Sequence, residues 1–98
     1  MEREGINIQP LLNQEQLNNK CGLFARVTIL PGHTLADHEH HGEAEAYHIL
    51  SGSGTYVDDG KRLPAKPGDT FYCADGHSHG ISCESEEPLE FIALIIKA

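Results

Sequence analysis

Basic residues are scarce: seven Lys plus Arg stand against fifteen Asp plus Glu in 98 residues, a formal net charge of −8. Phosphate backbones and anionic lipid surfaces are bound through clustered Lys and Arg, so neither nucleic acid nor a membrane is an expected partner. Cysteine is sparse too, at Cys21, Cys73 and Cys83. An odd number with no C-x-x-C pair excludes a disulfide scaffold and a zinc ribbon, and it points to reduced thiols in a cytoplasmic protein. Long apolar runs are missing, since Phe91 to Ile96 is far too short to span a bilayer. The opening Met1-Glu2-Arg3-Glu4 lacks the apolar core of a secretory signal. Low-complexity tracts and repeats are absent, so residues 1–98 read as one domain.

Helical patterning is nearly absent as well. Only Leu11 to Lys20 supports a turn or two, with Asn13 as a cap before Glu15-Gln16-Leu17. From there on, Gly and Pro recur at short intervals and separate strand-length runs: Leu23–Leu30, His38–His40, Glu45–Ser51, Thr55–Val57, Thr70–Cys73, His79–Cys83 and Leu89–Ile96. Asp59-Gly60 between Thr55–Val57 and Lys61–Leu63 is a type I′ hairpin signal. This spacing predicts an all-β sandwich or barrel over residues 23–98, preceded by a strand or short helical segment over residues 1–22. After Glu90, the last run is apolar on both faces. Either a second subunit packs on its outer face, making a homodimer, or the N-terminal segment covers it.

Histidine is what the chain has in excess: all seven lie between His33 and His79, five of them within His33 to His48. On a strand, residues i and i+2 share a face, so His38 and His40 project side by side, roughly 7 Å apart at Cα. The next strand places Glu45, Tyr47 and Ile49 on one face and His48 on the other. Two imidazoles and a carboxylate with coordination left open suit Fe, Mn, Ni or Zn, and His79 is placed to add a fourth ligand. A solvated edge strand is the plain alternative for His38-Glu39-His40 taken alone.

The long-range spacing goes further. Gly32, His38, His40, Glu45 and Gly52 fit G-x5-H-x-H-x4-E-x6-G without a gap. Gly68, Gly76 and His79 fit three of the five fixed positions of G-x5-P-x-G-x2-H-x3-N. Over Gly32 to Cys83 the chain therefore resembles the cupin superfamily. The resemblance implies a single-domain double-stranded jelly-roll β-barrel of about six to eight strands. It also implies one divalent transition metal (Zn, Fe, Mn or Ni) held by His38, His40, Glu45 and His79 inside the barrel. The second motif departs at Ala74, where its proline stands, and at Cys83, where its asparagine stands. Neither position is a ligand in the pattern.

The other candidates are weaker. His77, two residues before His79, is placed to overhang the open coordination positions as a general acid or base, or else to be a solvated loop residue. Tyr47, on the Glu45 face, is the aromatic candidate to line the cavity and move protons. Cys83 shares parity with His79 and reads as a substrate contact or as a small buried hydrophobe. Arg26 suits a substrate carboxylate only if its face points inward; otherwise it is a salt-bridged outer residue. His41 and His33 read as rim and surface residues. Small cupins of this kind include dioxygenases, isomerases, decarboxylases and lyases, so the leading expectation is a metal-dependent enzyme acting on a small polar molecule. The alternatives are a binding or sensor module with a metal-anchored ligand, and a purely structural ion.

Overall fold

The computed structural model describes residues 2–98, with Glu2 and Arg3 as backbone only; Met1 lies outside the described residues. The strands are β1 (Glu2–Arg3), β2 (Ile6–Pro10), β3 (Cys21–Ile29), β4 (Thr34–Glu39), β5 (Glu43–Ser51), β6 (Gly54–Asp58), β7 (Lys61–Ala65), β8 (Thr70–Cys73), β9 (Ser78–Cys83) and β10 (Leu89–Lys97). All their pairings are antiparallel, in sheets ordered β1-β2-β3-β10-β5-β8 and β4-β9-β6-β7. These two sheets enclose one apolar core as a double-stranded jelly-roll barrel. No helix among the described residues is long and apolar enough to cross a membrane.

Local chemistry explains the punctuation. Asp59 and Gly60 both adopt positive φ, 48° and 84°, as a type I′ turn requires, and they join β6 to β7 with Asp58 opposite Lys61. Asn13 caps the one helical turn, α1 (Gln14–Leu17), in a reciprocal box: its side chain accepts from the Gln16 N–H while Gln16 Oε1 accepts from the Asn13 N–H. Asn18 and Asn19 then turn left-handed, at φ 52° and 57°, so the helix is shorter than Leu11 to Lys20. Strand β2 adds to the edge of β3, with Ile6 opposite Ile29 and Ile8 opposite Val27. It therefore extends the sheet instead of lying across β10, whose outer residues Ile92 and Leu94 are half-buried.

The register rows grade the barrel from end to end. Ile6, Ile29 and Leu89 form one inward row, and Val27, Phe91 and Ile49 the next. These bulky residues fill one end. Further along, Ala25 and Ala93 stand beside Tyr47, and the last row brings Leu23 and Ile95 beside Glu45. Small residues in the middle leave room that large ones deny elsewhere, and that room is the cavity of about 350 Å³ that the site faces.

A β-bulge sets the geometry of the opposite wall. In β4, Leu35 pairs with Ile81 and His38 with His79, leaving Ala36 and Asp37 without register partners. The extra residue reverses parity, so Leu35 and His38, three apart, both face the interior. Gly80 makes this packing feasible: a Cβ there would meet Asp37 Oδ1 at 2.2 Å, and the Asp37 nitrogen and Leu35 carbonyl oxygen at 3.0 Å.

Candidate metal centre

Among the described residues, the buried polar or charged side chains are His40, Glu45 and His79, at 5%, 4% and 0% exposure. All three belong to one cluster, and His38 completes it: the four ligand atoms lie within 4.8 Å of one another. His79 Nε2 stands 3.0 Å from His40 Nε2, 3.1 Å from His38 Nε2 and 2.9 Å from Glu45 Oε1. His40 Nε2 is also 2.9 Å from Glu45 Oε1. Two ligands at ~2.1 Å from one ion and at right angles are ~3.0 Å apart. The spacing is therefore that of a coordination shell. One N–H on His79 cannot serve three such neighbours, so a shared cation is the arrangement that satisfies them all.

The far side of each ring is engaged, and for His38 and His40 the partner decides the tautomer. His38 Nδ1 lies 2.9 Å from the Ala36 carbonyl oxygen, which can only accept, so Nδ1 carries the proton. The bulge supplies that carbonyl. His40 Nδ1 donates in the same way to Glu43 Oε1, 3.0 Å away. His79 Nδ1 is 2.9 Å from the Tyr56 hydroxyl, at the closed end of the site. With Nδ1 engaged on all three rings, the Nε2 lone pairs face the common centre, as metal-bound histidines require. Burial alone would raise the Glu45 carboxyl, but hydrogen bonds from His38 and His79 when those rings carry the proton, and the nearby His79 and His40 charges, bring it down to about 2. The carboxylate is thus an anion ready to bind. These residues fit a divalent first-row ion.

A family profile described as Cupin domain (Cupin_2) matches residues 25–95, most of the chain. The chain is a cupin. It is 42% identical over 91 residues to the oxalate-binding protein of Thermotoga maritima, covering 93% of this chain and 75% of that protein. A crystal structure from the same organism, described as a predicted oxalate decarboxylase, matches with a TM-score of 0.92 at 41% identity, over 95% of this chain and 81% of that one. A Cupin 2 conserved barrel domain protein of Salinispora arenicola matches with a TM-score of 0.81 at 26% identity, over 95% of this chain and 76% of that one.

This cupin brings Tyr47 to the cavity wall, as the parity of β5 requires. Its ring stacks on His79 at 4.7 Å and 22°, and burial, followed by the Glu45 charge, keeps its hydroxyl protonated well above the usual phenol range. The other three candidates go elsewhere. Arg26 is exposed on the outer face of β3, because Ala25, Val27 and Ile29 take the inward positions, and its Nε donates to Glu90 at 2.9 Å. It does not reach the cavity. Cys83 lies in the apolar core with its thiol donating to the Glu87 carbonyl at 3.4 Å, and it does not line the cavity either. Ala74, where the second motif has its proline, opens a turn in which its carbonyl accepts the His77 N–H at 3.1 Å.

His77 turns away from the open coordination positions. It is exposed and pairs with Asp59 of the β6–β7 turn, which also accepts the Ser78 N–H at 2.8 Å. The Ser78 backbone bond, then His77, holds the Asp59 carboxyl below its usual range, while the bond to Asp59 and its charge raise His77 above 6.5. A raised folded-state value means the link is fully formed below 6.5 and lost as pH climbs through the higher midpoint. An NMR titration of the His77 ring should show that raised midpoint, falling back towards 6.5 in Asp59→Asn. An unchanged midpoint would remove the pairing.

Sequence reading missed the groups behind the ligands. Glu43, three residues past His40, was legible from spacing; Tyr56 was not, because only the pairing of β6 with β9 brings it to His79. Cys73 was also missed: it is the register partner of Glu45, but burial, helped by Asp59 and Glu45, pushes its thiol up to about 11, so it is a neutral neighbour of the site. Replacing Tyr56 by Phe keeps the stack on Phe71 (4.2 Å) and removes only the partner of His79 Nδ1. Metal affinity should fall about 10–100-fold, as for other outer-shell partners. Chelator competition measures it, and an unchanged affinity would show that Tyr56 does not orient the ligand.

Proposed function

We propose that this cupin is a metal-dependent enzyme that holds one divalent Zn, Fe, Mn or Ni ion on His38, His40, Glu45 and His79 and acts on a small polar molecule. The convergence of three Nε2 atoms and one carboxylate oxygen at coordination-shell spacing carries this reading. Four protein ligands leave one or two positions of a five- or six-coordinate ion facing the cavity. When bound, the ion supplies Lewis acidity toward an oxygen donor or activation of water or dioxygen, which is the chemistry of dioxygenase, isomerase, decarboxylase and lyase cupins. The chain's own part is to hold three imidazoles in one tautomer, keep Glu45 ionised and shield the site within apolar walls. Tyr47 presents a protonated hydroxyl. The Thermotoga maritima relatives, whose names mention oxalate, support a ligand with a carboxylate head.

A second reading, a non-catalytic binding module with a metal-anchored ligand, is favoured by the position of His77. With that histidine turned to Asp59, Tyr47 is the proton donor left at the cavity apart from the proposed ligands. Elemental analysis of the purified protein, then a turnover assay with a panel of oxo-acids, thiols and sugars, separates the two. The enzyme reading expects about one ion per chain and product formation that disappears in His38→Ala. Product formation unchanged in that variant sinks the metal mechanism, and tight calorimetric binding without product selects the binding module.

The proposal extends to assembly and location. Phe24, Leu94, Ala46 and Tyr72 form one outer row across β3, β10, β5 and β8, with Tyr72 62% exposed. We read this face as the seat of a homodimer, to be checked by sedimentation, and the three free thiols as fitting the cytoplasm.

A further inference from the structure

We infer that the ligand is an amphipathic 2-oxo acid, with one chelating oxo-carboxylate head at the metal centre and a branched or aromatic apolar body lying in the rest of the cavity. The inference rests on the metal-anchored reading above and deepens it. It also departs from the two-carbon dianion in the relatives' names.

Space is the first observation. The cavity holds about 350 Å³, the lower end of the ~300–1,000 Å³ typical of small-molecule pockets. At ~30 Å³ per water molecule that is roughly a dozen waters, far more than a two-carbon acid displaces. The walls are the second observation. Beyond His38, His40, Glu45 and Tyr47, the residues Ile8, Leu23, Val27, Leu35, Ala93 and Ile95 line most of it. The apolar surface begins at the metal centre, because Ile95 is the register partner of Glu45 and Ala93 that of Tyr47. From the opposite sheet the β4 bulge turns Leu35 inward together with His38. A ligand whose head occupies the open coordination positions must therefore place its remaining atoms against hydrocarbon.

Charge is the third observation, and it limits the head. A divalent ion held by one carboxylate and three neutral imidazoles keeps a single positive charge. One carboxylate on the ligand neutralises it. A second carboxylate would find no Lys or Arg among the cavity-lining residues, and Asp37 on the rim adds repulsion. An uncompensated charge against apolar walls is costly. A 2-oxo acid meets both limits, offering two oxygen donors and one negative charge.

The test is calorimetric binding to the full chain loaded with Zn²⁺, which avoids turnover. Pyruvate, oxalate and 4-methyl-2-oxopentanoate are the probes. Each buried methylene is worth roughly fourfold, so the three additional carbons predict binding about 50-fold tighter than pyruvate, with oxalate weaker than the branched acid. Leu35→Ala and Ile95→Thr, on opposite walls, should each cut the preference for the branched acid over pyruvate several-fold. Equal affinities, or oxalate the tightest of the three, would overturn the amphipathic ligand while leaving the metal centre intact. No binding of any probe that requires Zn²⁺ would overturn the metal-anchored reading as well.

Discussion

His79→Ala should empty the metal centre. His79 is the fully buried member of the proposed ligand set, and its Nε2 approaches each of the other three within 3.1 Å. A four-ligand site for a divalent ion is worth ~10–16 kcal/mol in total, so one ligand accounts for roughly 3 kcal/mol, or two orders of magnitude in affinity. The loss does not end there. Truncation removes the ring that stacks on Tyr47 and leaves a void behind it, which typically costs about 2–4 kcal/mol of fold stability. Elemental analysis should find the variant nearly metal-free, and thermal unfolding should show a lower midpoint even with metal withheld. His41→Ala is the control, because that side chain is 75% exposed and lies outside the cluster. A full complement of metal in His79→Ala would refute the site.

The second large effect is expected at Gly80→Val, where no ligand is touched. The added Cβ meets Asp37 Oδ1 at 2.2 Å, which a side chain can relieve by moving. It also meets two backbone atoms of the bulge at 3.0 Å, and the valine methyls crowd them further. Relief requires β4 to lift from β9. Overpacking of this kind costs about 1–3 kcal/mol, and for a domain of this size each kcal/mol moves the unfolding midpoint by roughly 4–8 °C. Because the bulge aims His38 and supplies the Ala36 carbonyl for its Nδ1, metal affinity should fall with stability. Asp37→Ala in the same chain relieves only the side-chain clash, so partial recovery is expected. Wild-type stability and metal content in Gly80→Val would show that the bulge is not held against that glycine.

The proposed ligands were legible because their spacing is local within each strand. His38, His40 and Glu45 declare themselves by parity and by the interval across one loop, and the second motif adds His79. The type I′ turn and the capped helical turn were legible for the same reason, being written in two or four adjacent residues. Arg26 and Cys83 show where that legibility stops. Arg26 sits in a run with apolar residues on both sides, and only the pairing of β3 with β2 and β10 decides which face turns inward. Cys83 has the right parity, but parity does not say how far along the barrel a residue lies, and it falls at the packed end. For His77, the partner that draws it away is Asp59, on a different hairpin. The bulge in β4 is likewise a property of two paired strands and has no signature in one.

The grading of the barrel's inward rows has a consequence for how this chain can change over time. Bulky rows around Ile29, Leu89 and Phe91 hold the most deeply buried apolar contacts, whereas the rows nearest the metal centre carry alanines and half-buried aliphatics. Amide exchange should be slowest at the first end and faster at the second, as buried contact density dictates. Mutations at the mouth, at Leu23, Leu35 or Ile95, therefore draw little on the reserve that keeps the barrel folded. New ligand preferences can be tried there one residue at a time, while the opposite end carries the inheritance of the fold.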